Sequence, residues 1–323
     1  MLTSVLLLLL LTSESPALEP TADGYPAQPL TILVPRDYGG ASYQVSVAMA
    51  AALQRVVGTP VRVVTRPQSK GLEALDEYQS IPPNGYTILE NQDLLFSQFL
   101  KGEIALDPVR DLTPLALTLA YSQLYVRANE TRFADLPGLV KCVDRHNPGC
   151  SGNKPLRISL FGKQGDTEDL LLSALARELG LHFQENFITV PADRYLSLLN
   201  GDADLLIEQP GDVRMFLERS LIKPIFSFQD RQIAAYPTVP RDANGNLQLP
   251  DLPRIRGFFV HPETPTARLD YLRRAFAEAV HTDEFQAYAR QHYISPEDIL
   301  TEPARAEAFM DAVLQTYRQM IDT

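Results

Sequence analysis

Two stretches of the chain repeat the same order of short apolar strand, glycine-containing loop and amphipathic helix. The first begins with Leu30–Val34, passes a loop at residues 35–40 and continues in a helix that ends at Gly58. The second begins with Leu156–Leu160 and passes a glycine loop at residues 161–165 before its helix. A new strand is predicted after each helix, so the pattern indicates parallel strands, right-handed crossovers and an α/β fold.

The same apolar patterns predict the remaining strands and helices. Ser42 is predicted to cap the first helix. Further strands are expected at residues 61–65, 86–89, 187–190, 204–207 and 257–260, with helices at 72–78, 195–199, 267–281 and 303–321, the last two closing the chain.

Chain length and net charge limit the number of lobes and the kinds of partner. The 323 residues are more than one hydrophobic core usually serves, so two lobes are expected. No low-complexity linker separates them, which favours lobes joined by strands. In such sheets, ligands bind outside the carboxyl ends of strands, near helix N-termini. With 29 Lys and Arg against 40 Asp and Glu, the chain is acidic, which argues against nucleic acid or anionic membranes as partners.

The N-terminus carries an apolar leader. Residues 6–11 are all leucine, and Ser15, Pro16 and Ala17 form a small-residue step typical of signal cleavage. The apolar run is shorter than the roughly 20 residues that span a bilayer. We expect residues 1–17 to be a signal peptide and the mature protein to be periplasmic. The alternative is a buried N-terminal helix.

Two cysteines flank a turn. Cys142 and Cys150 are separated by a segment containing Asn147, Pro148 and Gly149, which favours a turn. In an exported protein such a pair indicates a disulfide, worth about 2–3 kcal/mol by loop entropy. A metal or redox pair with His146 is the alternative, although no fourth ligand is near.

Several motifs resemble a known family. They are residues 25–35 (YPAQPLTILVP) with Gly39 and Gly40, 65–67 (TRP), 82–87 (PPNGYT), 107–116 (DPVRDLTPLA), 200–204 (NGDAD), 236–239 (YPTV) and 262–265 (PETP). Together, in this order, they resemble the periplasmic solute receptors of tripartite tricarboxylate transporters.

The resemblance implies a two-lobed periplasmic-binding-protein fold of type II, a flytrap with a ligand cleft between the lobes. Lobe I would contain residues 24–127 and 226–323, and lobe II residues 128–225. The implied ligand is a small organic carboxylate, and the implied partner is a membrane permease. We expect a monomer without cofactor or metal.

The family binds carboxylates at two glycine loops. Carried to this chain, that implies Tyr38, Gly39, Gly40, Ser42 and Tyr43 in lobe I, and Lys163, Gly165, Asp166, Thr167 and Asp169 in lobe II. Arg36 is included as the cation beside the first glycine loop. Glu208 is added because it ends a predicted strand. The chain departs from the family at Arg36, at Tyr43, in the acidic loop 165–169 and after Pro191, where a glycine-rich loop is short.

Each charged candidate has a structural alternative. Asp166, Glu168 and Asp169 are also favoured in a first helical turn by the helix dipole. Arg36 and Lys163 are equally explained by surface pairing with Asp37 or Asp166. If the acids face the cleft, they predict a ligand with one carboxylate and a neutral or positive far end. Arg254 and Arg256 are candidates to brace a hinge, and His261 is the histidine most suited to a cleft.

No motif of a hydrolase, phosphate-binding loop or dinucleotide-binding loop is present, so the chain is predicted not to be an enzyme. The alternative to transport is a sensing module whose closed form docks on a membrane sensor kinase.

Overall fold

The computed structural model describes residues 17–143, 155–229, 238–239 and 247–321. The strands are β1 Leu30–Val34, β2 Val61–Thr65, β3 Thr87–Gln92, β4 Thr113–Ala120, β5 Gln123–Arg127, β6 Leu156–Leu160, β7 Phe183–Phe187, β8 Leu205–Glu208, β9 Ile222–Ser227, β10 Arg254–Val260 and β11 Ile299–Leu300. The helices are α1 Ala41–Val57, α2 Leu72–Ser80, α3 Leu94–Leu100, α4 Leu136–Val143, α5 Thr167–Leu179, α6 Pro191–Asn200, α7 Arg214–Glu218, α8 Thr266–Ala279, α9 Asp283–Gln291 and α10 Pro303–Ile321.

The strands form two mixed sheets. The first has the order β11-β4-β10-β3-β1-β2 and the second the order β7-β6-β8-β5-β9. The prediction of an α/β fold is confirmed, and β1 pairs in parallel with β2 and β3. The parallel pairing predicted for both stretches is confirmed, because β6 likewise pairs in parallel with β7 and β8. The sheets are mixed because β10 runs antiparallel to β3 and β4, and β5 runs antiparallel to β8 and β9.

The chain crosses between the sheets at least twice. It leaves the first sheet after β4 and enters the second at β5, then returns from β9 to β10. β5, which the expected boundary at residue 127 assigned to lobe I, pairs within the second sheet. The crossing after β4 is anchored where the Tyr121 hydroxyl donates to Asp298 Oδ1 at 2.7 Å.

Helices cover the first sheet on both faces. On one face α1, α8 and α9 bury an apolar cluster that includes Met49, Leu53, Tyr271 and Phe285. A second cluster runs from the opposite face into the second sheet, so packing is continuous between the lobes. No helix among the described residues is long and apolar enough to cross a membrane.

Three local predictions need correction. The strand expected at residues 187–190 lies earlier, because Pro191 starts α6 at a position that suits proline. α9 was missed, although Thr282 caps it by accepting a hydrogen bond from the Phe285 N–H. Ser42 is not the cap of α1: Gly40 holds that position and Ser42 lies buried inside the helix.

Candidate functional site: a cleft between the two sheets

A cavity of about 500 Å³ lies between the sheets. Because both sheets supply its walls, a molecule held here would contact both lobes. Elements of the first sheet contribute residues 36–42, Gln44, Gln92, Arg254, Arg256 and His292. Elements of the second contribute Phe161, Glu168, residues 189–192, Arg194, Tyr195, Glu208, Gln209, Gly211 and Asp212.

The N-terminus of α1 opens into this cavity. Gly39 has a φ of 78°, a left-handed conformation that favours glycine, and lets the chain turn sharply into the helix. Gly40 caps α1 without a side-chain bond, and the first helical bond joins the Gln44 N–H to the Gly40 carbonyl oxygen at 2.9 Å. The N–H groups before Gln44 therefore lack helical acceptors, and they carry the positive end of the helix dipole. Such an end favours an anion.

Arg36 is held beside this turn by neutral acceptors. The Gln92 amide is assigned with its oxygen towards Arg36, where it accepts from Nε at 2.7 Å and Nη2 at 3.0 Å. Nη1 donates to the Lys70 carbonyl oxygen at 2.6 Å. Ser69, Lys70 and Gly71 are all left-handed, so the backbone of this turn is shaped around the guanidinium.

Within the described part of the chain, the Arg36 guanidinium has no direct carboxylate partner. Among the described residues, no acid, Asp37 included, lies within 4.0 Å of its nitrogens. Burial lowers the pKa of Arg36, and the more distant charges of Glu90, Asp93 and Asp166 oppose that shift. The surface pair with Asp37 that the sequence allowed is therefore not formed.

The second wall is organised around Arg194, which is 2% exposed. Its Nη1 donates to the two carboxylate oxygens of Glu168 at 2.7 and 2.6 Å, and its Nη2 donates to Glu208. Glu208 also accepts from the Tyr195 hydroxyl at 3.1 Å. The predicted site residue Glu208 lines the cavity with its charge already compensated.

Arg254 ties the two walls together. This β10 residue donates from Nε to Asp93 Oδ1 and from Nη1 to Glu168 Oε1, each at 3.2 Å. Asp93 also accepts a hydrogen bond from the Thr167 hydroxyl of α5. The charges therefore alternate across the lobe interface, and the bracing of a hinge by Arg254 stays a prediction.

Arg256 makes a second bridge. Its Nη1 donates to Gln209 Oε1 at 3.0 Å, and its Nη2 donates to Asp212 Oδ2 at 3.2 Å. His292 lies beside Asp212, and burial lowers the pKa of His292 to about 4. The histidine expected in the cleft, His261, instead stacks on Tyr78 away from the cavity lining.

Asp166 and Asp169, at the start of α5, do not line the cavity. Asp166 accepts from Lys101 Nζ at 2.9 Å and from the Ser97 hydroxyl at 3.1 Å, both contributed by the first lobe. Asp169 accepts from the Gly165 N–H at 2.6 Å. Burial raises the pKa of Asp169, although the Gly165 N–H and Lys101 oppose the rise. These acids serve the lobe interface and the loop itself.

The remaining predicted residues divide in the same way. Arg36, Tyr38, Gly39, Gly40 and Ser42 line the cavity with Glu208. The others lie outside the lining: Tyr43 packs edge-on against Tyr38, Lys163 pairs with Glu103 of the first lobe, and Gly165, Asp166, Thr167 and Asp169 belong to the interface just described.

Sequence reasoning missed the buried centre of the site. Glu168 was one of three acids considered for the cleft but was not chosen as a site residue, and Arg194 was not singled out. The available signal was a charged residue next to apolar ones: Arg194 lies in the helix that Pro191 starts after Val190, and Glu208 ends an apolar strand. Such charges are rarely buried without partners.

The metal and disulfide predictions concern residues outside the cavity. Within the described ranges, no group of three His, Cys, Asp or Glu residues is arranged to hold a metal ion. Cys142 is buried at the end of α4. Cys150 and residues 1–16 lie outside the described residues, so the disulfide and the leader stay predictions.

Comparison with known proteins finds similar sequences and solved structures of the same fold. No family model matches it. A UPF0065 protein of Bordetella pertussis is 22% identical over 281 residues, which cover 85% of this chain and 83% of that protein. A UPF0065 protein from the tcbD-tcbE intergenic region of a Pseudomonas species is 30% identical over 128 residues, 39% of this chain but only 38% of that relative.

Solved structures share the fold. The TctC solute-binding protein from Polaromonas is 21% identical with a TM-score of 0.73, covering 92% of this chain and 99% of that one. The periplasmic binding protein BugD is 20% identical with a TM-score of 0.72, covering 92% and 97%. MatC from Rhodopseudomonas palustris, with bound malate, is 18% identical with a TM-score of 0.73, covering 92% and 100%.

These comparisons confirm the predicted resemblance to the periplasmic receptors of tripartite tricarboxylate transporters, and the predicted periplasmic-binding-protein fold. TctC is a solute-binding protein and BugD is a periplasmic binding protein.

Proposed function

We propose that this chain, a relative of the UPF0065 proteins with the fold of TctC and BugD, is a periplasmic solute-binding protein. It captures a small organic carboxylate between its two lobes and delivers it to the membrane permease of a tripartite transporter. We further propose that it is exported through the leader at residues 1–17 and works as a monomer. Lobe I comprises residues 24–127 and 226–323, and lobe II comprises residues 128–225, except that β5 belongs to lobe II because it pairs with β8.

One observation carries the proposal: the anion-binding end of α1 and the guanidinium of Arg36 meet in the inter-lobe cavity. A largely buried cation with only neutral acceptors is costly, because desolvation is not offset by an opposite charge. A ligand carboxylate on the N–H groups of residues 40–42 would supply that charge. Arg36 would then add a charge-assisted hydrogen bond.

The size of the cavity suits a small ligand. At about 500 Å³ it falls within the roughly 300–1,000 Å³ range of small-molecule sites. The repulsion that the sequence predicted between loop 165–169 and a second carboxylate does not apply to Asp166 and Asp169, which lie outside the lining. The proposal therefore includes diacids such as malate, which the fold neighbour MatC holds.

The contacts across the cleft supply a closure mechanism. Arg254 meets Glu168, Arg256 meets Asp212, and Lys101 meets Asp166 from opposite lobes. A ligand that touches both walls adds to these contacts only when the lobes are together. Binding would therefore shift the open–closed balance towards the closed form that a permease recognises.

A thermal-shift screen tests the proposal. The panel contains mono-, di- and tricarboxylates, amino acids and aromatic acids, and an acid at a hundredfold excess over Kd should add about 2.7 kcal/mol of stability. The Arg36→Met variant should lose most of that response. Arg66→Met is the matched control, because Arg66 lies at the start of the same turn but pairs with Glu77 at 2.8 Å outside the cavity. No response to any acid, or equal loss in both variants, contradicts the proposal.

A further inference from the structure

Glu90 is a fully buried acid on β3, with 0% of its surface exposed. Among the described residues, neither of its carboxyl oxygens has a partner of normal hydrogen-bond geometry. A buried charge in this state is costly, and the group avoids the cost by holding a proton.

The charged and titratable groups that face Glu90 come from every element around it. Arg36 follows β1, and Arg256 lies on β10, which pairs with β3 at Glu90 and Phe258. From α9, Tyr288 faces it with a hydroxyl that also lacks a partner among the described residues. Ser42 of α1 is the nearby neutral group, so Glu90 lies directly behind the helix turn that lines the cavity.

The balance of these effects leaves Glu90 close to half protonated at neutral pH. Burial raises the pKa of Glu90 to about 7, and the Ser42 hydroxyl and the positive charges of Arg256 and Arg36 oppose the rise only in part. Two of these opposing groups, Ser42 and Arg36, are the ones that would meet the ligand carboxylate. Ionised Glu90 and a bound carboxylate would therefore be stabilised by the same two groups.

We propose that the protein takes up a proton at Glu90 when an organic anion binds at the α1 turn. This inference rests on the proposed function and adds a coupling to it. The anion would bring a second negative charge to the far side of Arg36 and Ser42, and two like charges around one guanidinium repel. The proton comes from solvent and ends on a carboxyl oxygen of Glu90, so the complex carries one more proton than free protein in which Glu90 is ionised.

The coupling gives ligand affinity a defined pH dependence. Above pH 7 the free protein has lost its proton and must regain it, so Kd should rise by up to tenfold for each pH unit. Below pH 7 the proton is already present, and Kd should become flat. His292 does not titrate in this window, because its pKa is lowered to about 4, and burial keeps Tyr288 neutral by raising its pKa.

Isothermal titration calorimetry counts the proton directly. The titrant is the panel acid that gives the largest thermal shift at pH 6, and malate is tried first. The titration is run at pH 8 in two buffers that differ in ionisation enthalpy. Wild-type protein should take up between about 0.5 and 1 proton per acid bound. Glu90→Gln, a neutral replacement of similar shape, should take up none. Its Kd at pH 8 should match that of wild-type protein at pH 6 within about threefold.

Glu130→Gln is the matched control. Glu130 is also a buried glutamate, but Arg132 donates to it at 2.7 Å, remote from the cavity lining. This variant should keep the wild-type proton count. Binding without proton uptake by wild-type protein, or equal uptake by Glu90→Gln, overturns this inference alone. No binding of any panel acid at pH 6 rejects the proposed function, and the coupling with it.

Discussion

Replacing Glu168 by Gln tests the buried charge cluster that joins the lobes. Glu168 is 1% exposed. It accepts from Arg194 Nη1 at 2.7 and 2.6 Å, from Arg254 Nη1 at 3.2 Å and from the Phe161 N–H at 2.7 Å. Glutamine keeps the shape of the side chain and removes its charge, so two buried guanidinium groups lose one of their carboxylate partners.

The expected cost follows from that geometry. Breaking a buried ion pair by removing one partner typically costs about 3–5 kcal/mol, because the other charge stays buried. Each arginine here keeps a second acid, Glu208 for Arg194 and Asp93 for Arg254. We therefore expect a loss near the lower end of that range, about 3 kcal/mol.

Urea unfolding followed by circular dichroism measures this loss as a lower midpoint at constant slope. Glu103→Gln is the control, because Glu103 pairs with the exposed Lys163 and should cost less than about 1 kcal/mol. A Glu168→Gln protein within about 1 kcal/mol of wild type would refute the conclusion that this cluster stabilises the lobe interface.

Three further predictions follow from single positions. Gly71 has a φ of +91°, and Gly71→Ala would put a Cβ 2.4 Å from the Pro35 carbonyl oxygen, so this variant should bind the carboxylate at least about tenfold more weakly. Gly102→Ala is the control: Gly102 is also left-handed, but nothing lies within 4 Å of the added Cβ, so affinity should be unchanged. Because the pKa of Glu90 is raised, the folded state binds more protons than the unfolded state, and wild-type stability should fall as pH rises from about 4.5 through 7. Glu90→Gln should therefore be up to about 3 kcal/mol more stable than wild type at pH 8 and equal to it near pH 4. Urea unfolding at both pH values measures the difference, and a difference that stays constant would contradict this prediction. Thiol labelling of denatured, unreduced periplasmic protein should find no free thiol at Cys142 or Cys150, and two labelled thiols would reject the disulfide.

The local elements were predictable because their signals are local. Leu30–Val34 is a compact apolar run, and Gly58 ends α1 in the left-handed conformation that glycine favours. Gly180 ends α5 in the same way. The glycine turn at Gly39 and Gly40 was expected in the cleft because the family resemblance implies it, and Arg36 because it is a cation beside that turn.

The pairing of strands was less accessible. β10 inserts between β3 and β4 in antiparallel orientation, although a long stretch of chain separates it from both. The alternation of strands and helices near the N-terminus gives no information on where a late strand returns. The motifs that resemble the receptor family supplied that expectation instead.

The buried part of the site was hidden for a related reason. Glu168 and Arg254 are 86 positions apart, and their pairing depends on how the lobes close. In sequence, Glu168 is one of several acids at a helix start, where the dipole alone explains it. Its neighbours Asp166 and Asp169 carry the same charge but turn towards Lys101 and Gly165. Spacing along a helix does not reveal which of the three faces the cavity.

A crystal structure of the protein with the panel acid that binds most tightly tests the central claim directly. The account predicts the acid inside the inter-lobe cavity, with a carboxylate about 3 Å from the N–H groups of residues 40–42 and from the Arg36 guanidinium. An acid bound outside this cavity, or bound within it with its carboxylate turned away from the α1 turn, would contradict the account.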